Sequence, residues 1–179
     1  MVNNEIGNDR VFSNYYLSAR FQINLGRLKN RTSLSNMPKI SEGVSMKNNS
    51  DYVWDIYKTT PIMSTYTIAM AVLSQDYTFS VKQVEKRNIS VVSMFYDNET
   101  TEELLTNTDN YLRFFEEYFN DTDELPKIDN LHSIDGAYGA MENWGLIVYF
   151  GSNGGQKLIA HEVAHYWHGN KVTCSNWHE

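Results

Sequence analysis

Two imidazoles and one carboxyl group are spaced for metal chemistry in His161-Glu162-Val163-Ala164-His165. Residues four apart on a helix lie one turn apart on the same face, so both rings can reach one ion, and Zn²⁺ is the usual occupant of such a pair. Glu162 comes one position after the first ligand. Its carboxylate can project beside the metal without binding it, take a proton from water there, and later give it to a leaving amine. Two histidines on a solvated helix face are the structural alternative. The helix argues against that reading: Ile159, Val163, Ala164 and Trp167 make it largely buried, and buried imidazoles need partners.

A hydrolytic zinc site wants a third protein ligand and one open position. The metzincin spacing would need Gly and His at the positions held by His168 and Lys171, so it fails. His168 lies on the same helix, and three ligands from one helix cannot easily surround an ion, which favours a packed aromatic there. His178 and Glu179 are weaker candidates still. Upstream, Gly139-Ala140-Met141-Glu142-Asn143-Trp144-Gly145 sets a glutamate between two glycines at the start of a strand. Such a carboxylate sits on backbone that can approach a ligand closely, and a free α-amino group would suit it. An exposed turn glutamate is the plainer reading of that stretch taken alone.

The elements that must carry these groups follow from the rest of the chain. At 179 residues, with 41% hydrophobic, 21% charged and 13% aromatic residues, it has the composition of a globular protein of one domain or two small ones. The net charge is −7 with no basic stripe, which disfavours a nucleic-acid partner. The longest apolar run, Ile68 to Leu73, is far short of the about 20 residues of a membrane span, and MVNNEIGNDR lacks the features of a signal peptide. One cysteine, Cys174, leaves no internal disulfide and reads as a small buried side chain.

Periodicity divides the chain in two. Tyr16–Ile23, Tyr66–Leu73, Tyr77–Lys82 and Ile89–Tyr96 read as strands, the second covered on both faces, with Asn30–Ser50 as a long polar connection containing short extended pieces. Residues 1–95 are thus expected to form one antiparallel β-rich unit, and residues 96–179 a second domain. In the latter, Thr100 and Glu103 fit a capping box, and Leu105, Leu112, Phe115 and Phe119 recur at helical spacing. Leu146–Phe150 reads as a strand. Lys157–His168 reads as a second helix, closed by Gly169-Asn170.

Taken with HEVAHYWHGN, the GAMEN stretch closely resembles the zinc aminopeptidases of the aminopeptidase N type, gluzincins with a GAMEN exopeptidase motif. ARFQI (Ala19–Ile23), SLSNMP (Ser33–Pro38), TTPIMSTY (Thr59–Tyr66), LPKID (Leu125–Asp129) and Gly169–Thr173 extend the resemblance in the family's order. It implies an α+β chain: an antiparallel, saddle-like β domain, then the start of a thermolysin-like zinc peptidase domain. By the same resemblance His161 and His165 are zinc ligands, Glu162 is the general base, and Glu142 binds the substrate's free N-terminus. Gly139, Ala140 and Met141 line that site. The implied reaction removes the N-terminal residue from peptides.

Several departures accompany the likeness. The family's third ligand is a glutamate that follows the second histidine after eighteen intervening residues, at position 184 and past Glu179, and its oxyanion-stabilising tyrosine and helical C-terminal domain are likewise not in this sequence. Where the family usually has PCFDEP, the chain reads DRVFSNYYLS, and residues 151–160 form a shortened connection. The sequence is therefore expected to be a fragment or an incomplete gene product, weakly active or inactive alone. A catalytically dead homologue serving peptide binding or assembly is the alternative, and a thermolysin-like endoprotease a third reading. Five Asn-x-Ser/Thr sequons, at Asn30, Asn48, Asn88, Asn98 and Asn120, favour the extracellular face of the plasma membrane or secretion over the cytoplasm. Any membrane anchor would lie outside this chain.

Overall fold

The computed structural model describes residues 18–84, 86–94, 98–133, 139–151 and 155–173. Its core is a five-stranded mixed sheet in the order β11-β12-β10-β9-β8. The strands are β8 (Thr78–Gln83), β9 (Asn88–Ser93), β10 (Lys127–Ser133), β11 (Gly139–Met141) and β12 (Leu146–Phe150). The β9/β10 and β10/β12 pairs are parallel; β8/β9 and β11/β12 are antiparallel. Parallel neighbours need a crossover, and the 22-residue helix α1 (Asn98–Phe119) provides the one from β9 to β10.

Alternation along these strands sorts side chains onto two faces. Ile89, Val91, Ile128, Ile147 and Tyr149 join a cluster with Leu104, Leu105 and Leu112 of α1 and with Ile159 and Val163 of α2 (Gly155–Ala164). On the opposite face Val92, Leu131 and Leu146 meet Leu34, Ala69 and Leu73, which belong to or adjoin the antiparallel pair β3 (Thr32–Ser35) and β7 (Met70–Leu73). The helices thus cover one side of the sheet and a β-pair the other. A second small sheet, β2-β5-β4, joins Asn24–Leu28, Tyr52–Tyr57 and Lys39–Ser45. The pair β1 (Ser18–Ala19) and β6 (Met63–Ser64) completes an α+β fold whose N-terminal part is antiparallel.

The structure corrects several expectations. The hairpin β8–β9 belongs to the mixed sheet, hydrogen-bonded through β9 to β10, so the division expected at residue 95 falls inside a sheet. Hydrophobic alternation shows a strand but not its neighbour, and here the neighbour comes from beyond α1. The short extended pieces expected within Asn30–Ser50 are full strands, β3 and β4, whose Ser, Thr, Lys and Glu residues pair through the backbone regardless of polarity. Tyr66–Leu73 is a short 3₁₀ turn followed by β7, and Met70 and Val72 are exposed because only one face of that strand meets the core. Strand β1 is much shorter than Tyr16–Ile23, although Phe21 and Ile23 still bond to the backbone or side chain of residues 57–60; residues 16 and 17 lie outside the described residues. Thr100 sits inside α1 and not at its cap.

The far end of α1 closes on Asn120, which adopts a left-handed φ of 49°. Asp121 N–H donates to the Glu116 carbonyl and Asn120 N–H to that of Glu117, a Schellman pair that satisfies the last turn. Helix α2 is shorter than expected. It ends at Ala164, and residues 165–172 continue as turns in which Asn170, Lys171 and Val172 each donate five residues back.

Candidate active site

The paired histidines converge. His161 Nε2 and His165 Nε2 lie 3.1 Å apart, with the ring planes nearly perpendicular. The Nδ1 of His165 is 2.8 Å from the His168 carbonyl oxygen. A carbonyl can only accept, so Nδ1 carries the proton, and in the neutral ring Nε2 presents its lone pair to His161. Two such lone pairs repel unless a proton or a cation lies between them. Two nitrogens on one tetrahedral zinc at 2.0–2.1 Å stand about 3.3 Å apart, close to the separation seen. The pair therefore fits two corners of a zinc site, with the His168 carbonyl fixing one ring from behind. Among the described residues, no group of three or more His, Cys, Asp or Glu side chains is placed to hold an ion.

Glu162 is buried, and its Oε2 has no hydrogen-bond partner among the described residues. Burial pushes its carboxyl up to about 7; His165 opposes the shift and Glu142 adds to it. An unsatisfied carboxyl of that pKa beside the two rings suits proton exchange near neutrality. His168, weighed as a third ligand, turns its ring edge-on to Phe119 at 5.1 Å and contributes its carbonyl instead. His178, Glu179 and Cys174 lie outside the described residues.

Gly139, Ala140 and Met141 form β11, paired with Phe150, Tyr149 and Val148 of β12. Glu142 follows that strand in the turn that leads into β12, and is not at the start of a strand. The turn is over-determined by buried polar atoms. Asn36 Nδ2 donates to the Trp144 carbonyl at 2.8 Å, and Lys127 Nζ to the Gly145 carbonyl at 2.9 Å. Gly145 N–H donates to the Tyr166 hydroxyl at 3.2 Å, and Asn170 Nδ2 to the Glu142 carbonyl at 3.1 Å. Trp144 Nε1 reaches Asp123. Only glycine fits at 145: its φ is 89°, and a Cβ would stand 2.2 Å from the Asn36 carbonyl oxygen.

The proton-bearing groups and the turn are thus brought together, Glu142 lying near enough to Glu162 to raise its pKa. Sequence reasoning named the groups but missed the supports, Asn36, Lys127, Tyr166 and Asn170. Their only signal was membership of the segments SNMP, LPKID and HYWHGN, since neither charge nor spacing gives a lone Asn or Tyr a role.

The structure thus sets two imidazoles beside a glutamate-bearing turn at a sheet edge, and comparison with known sequences gives the family. Residues 103–179 match the Peptidase family M1 domain. The chain is 34% identical to aminopeptidase N of Bos taurus over 91% of its own length, and 34% identical to endoplasmic reticulum aminopeptidase 2 of Bos taurus over 94%. It is also 34% identical to glutamyl aminopeptidase of Bos taurus over 89%. The chain belongs to the M1 peptidase family. It spans under a fifth of the length of these relatives, at 18%, 19% and 18%.

Proposed function

We propose that this chain carries the metal-binding helix and the amine-binding turn of a zinc aminopeptidase that acts on peptides with a free N-terminus. The observation that carries this reading is the 3.1 Å approach of two Nε2 atoms, one with its tautomer set by a backbone carbonyl. His161 and His165 would hold Zn²⁺, which when bound polarises the scissile carbonyl and makes water acidic enough to attack it. Glu162, raised to about 7, accepts the proton of the attacking water at Oε2 and delivers it to the departing amine. Glu142 takes the substrate's ammonium, and Gly139, Ala140 and Met141 form the edge beside it. That edge strand can accept an extended peptide by backbone pairing. The relatives' names, all aminopeptidases, support the assignment.

Two ligands hold zinc weakly, so the chain by itself is expected to turn over peptide slowly or not at all. The test is a calorimetric titration of the chain with Zn²⁺, repeated for His161→Ala and His165→Ala. Each substitution should weaken binding at least tenfold. Unchanged affinity in both variants would remove the metal reading. Where turnover is measurable, an N-acetylated peptide should resist it, and its ready cleavage would point to an endoprotease. For location, we favour the extracellular face of the plasma membrane or secretion. The sequon residues Asn30, Asn48, Asn88 and Asn120 are all exposed, as glycan acceptors must be, while the side chain of Asn98 is outside the described set. No helix among the described residues is long and apolar enough to cross a membrane.

A further inference from the structure

We propose that Asn170 is a positioning residue that sets how far the amine-binding carboxylate stands from the paired histidines, and thereby which peptide bond is presented to them. The inference rests on the aminopeptidase reading and adds to it the part of the chain that fixes the register.

The turn that bears Glu142 is held at both ends by the segment that follows the metal helix. At its start the Asn170 carboxamide donates to the Glu142 carbonyl at 3.1 Å; at its end Gly145 N–H donates to the Tyr166 hydroxyl at 3.2 Å. Asn170 is itself tied to a metal-binding candidate, since its N–H donates to the His165 carbonyl at 3.0 Å. The preceding Gly169, at a φ of 122°, lies beside the same ring: a Cβ there would be 3.0 Å from the Tyr66 hydroxyl and in ordinary contact with His165 Nδ1. The path from His165 to Glu142 is therefore one backbone bond and one side-chain bond.

Burial makes this connection directional. Asn170 is 5% exposed, and its Oδ1 is buried without a partner among the described residues. A flipped amide would set Oδ1 against the Glu142 carbonyl oxygen, two acceptors in contact, so the Nδ2 donor is the orientation the site requires.

The magnitude of the effect follows from chain geometry. One extended residue spans about 3.5 Å, so a displacement of that size between amine site and histidines would exchange the first peptide bond for the second. Much smaller errors already matter, as about 1 Å of misplacement can cost about a hundredfold in rate.

The experiment uses the whole chain loaded with Zn²⁺, with leucinamide and N-acetyl-leucinamide as probes, their binding followed by NMR shifts. Asn170→Asp keeps the shape and removes the donor. It should lower the preference for the free amine about tenfold while Zn²⁺ affinity stays within twofold. Full retention of the preference would overturn the inference, and so would parallel loss of zinc and amine binding, because a merely structural residue would move both. Should Asn170→Asp fail to fold, Tyr166→Phe, which releases the other end of the turn, is judged by the same two readouts. If the unsubstituted chain itself shows no preference for leucinamide, the aminopeptidase reading falls and takes this inference with it. If it discriminates and the variants discriminate equally, only the positioning role is lost.

Discussion

The three-stranded sheet β2-β5-β4 and the five-stranded sheet are built on opposite principles. In the smaller sheet the inward face carries a charged pair among apolar neighbours: Arg27 and Asp55 are buried and paired at 2.6 Å beside buried Val53 and Tyr57, and Ser33 also donates to Asp55. Its outward face is apolar and half open, with Leu28, Val44, Tyr52 and Trp54 partly exposed. In the larger sheet Ile89, Ile128, Leu146 and Ile147 are fully buried. One region holds its shape through directional bonds among a few charged groups, the other through non-directional burial of many methyl groups. The candidate site borrows from both, since its histidines ride on a helix packed against the apolar sheet while Asn36 and Lys127 clamp its turn through buried hydrogen bonds.

The contrast can be broken most sharply at Asp55. Asp55→Ala removes the buried carboxylate that both Arg27 and Lys39 face and should cost about 4 kcal/mol in urea unfolding; a loss under about 1 kcal/mol would show that the polar network is dispensable. Next in size, Ile147→Ala empties a fully buried position in the apolar sheet and should cost about 3 kcal/mol. Repacking that reduces the loss to a few tenths would make the two regions less different than they look.

The smallest effect is a pH dependence. Burial by itself would raise the Asp55 carboxyl, but hydrogen bonds from Arg27, Ser33, the Gly43 N–H and Lys39 outweigh it and hold the group well below the usual carboxylate range. A depressed folded pKa gives stability that is complete above the unfolded pKa near 4 and is lost as pH falls below it. At pH 3 the loss from this group should be about 1 kcal/mol relative to pH 6. Asp55→Asn should lack that share of the acid limb, and identical acid limbs for variant and parent would assign it elsewhere.

Legibility in the sequence followed how local the governing physics is. The HEVAH spacing, the amphipathic α1 and the strand Leu146–Phe150 each depend on neighbours within a few residues, and all three are where the pattern put them. Strand β8 was legible as a strand, yet Phe79 and Val81 are exposed, because alternation marks a face without saying whether anything covers it. Strands β3 and β4 were legible only as short extended pieces of a polar connection, since their pairing satisfies backbone groups whatever the side chains.

By itself, then, the sequence determined which groups could do chemistry: two imidazoles one turn apart, a carboxyl group between them, and a glutamate flanked by glycines. The tertiary structure alone decided that the turn and the helix face each other, through Asn170 and Tyr166, and that Glu162 is buried enough to titrate near 7. The reason is range. Helical spacing is fixed by bonds along one chain segment, whereas a hydrogen bond across 28 residues and a shift caused by burial depend on what other segments deliver to the same place.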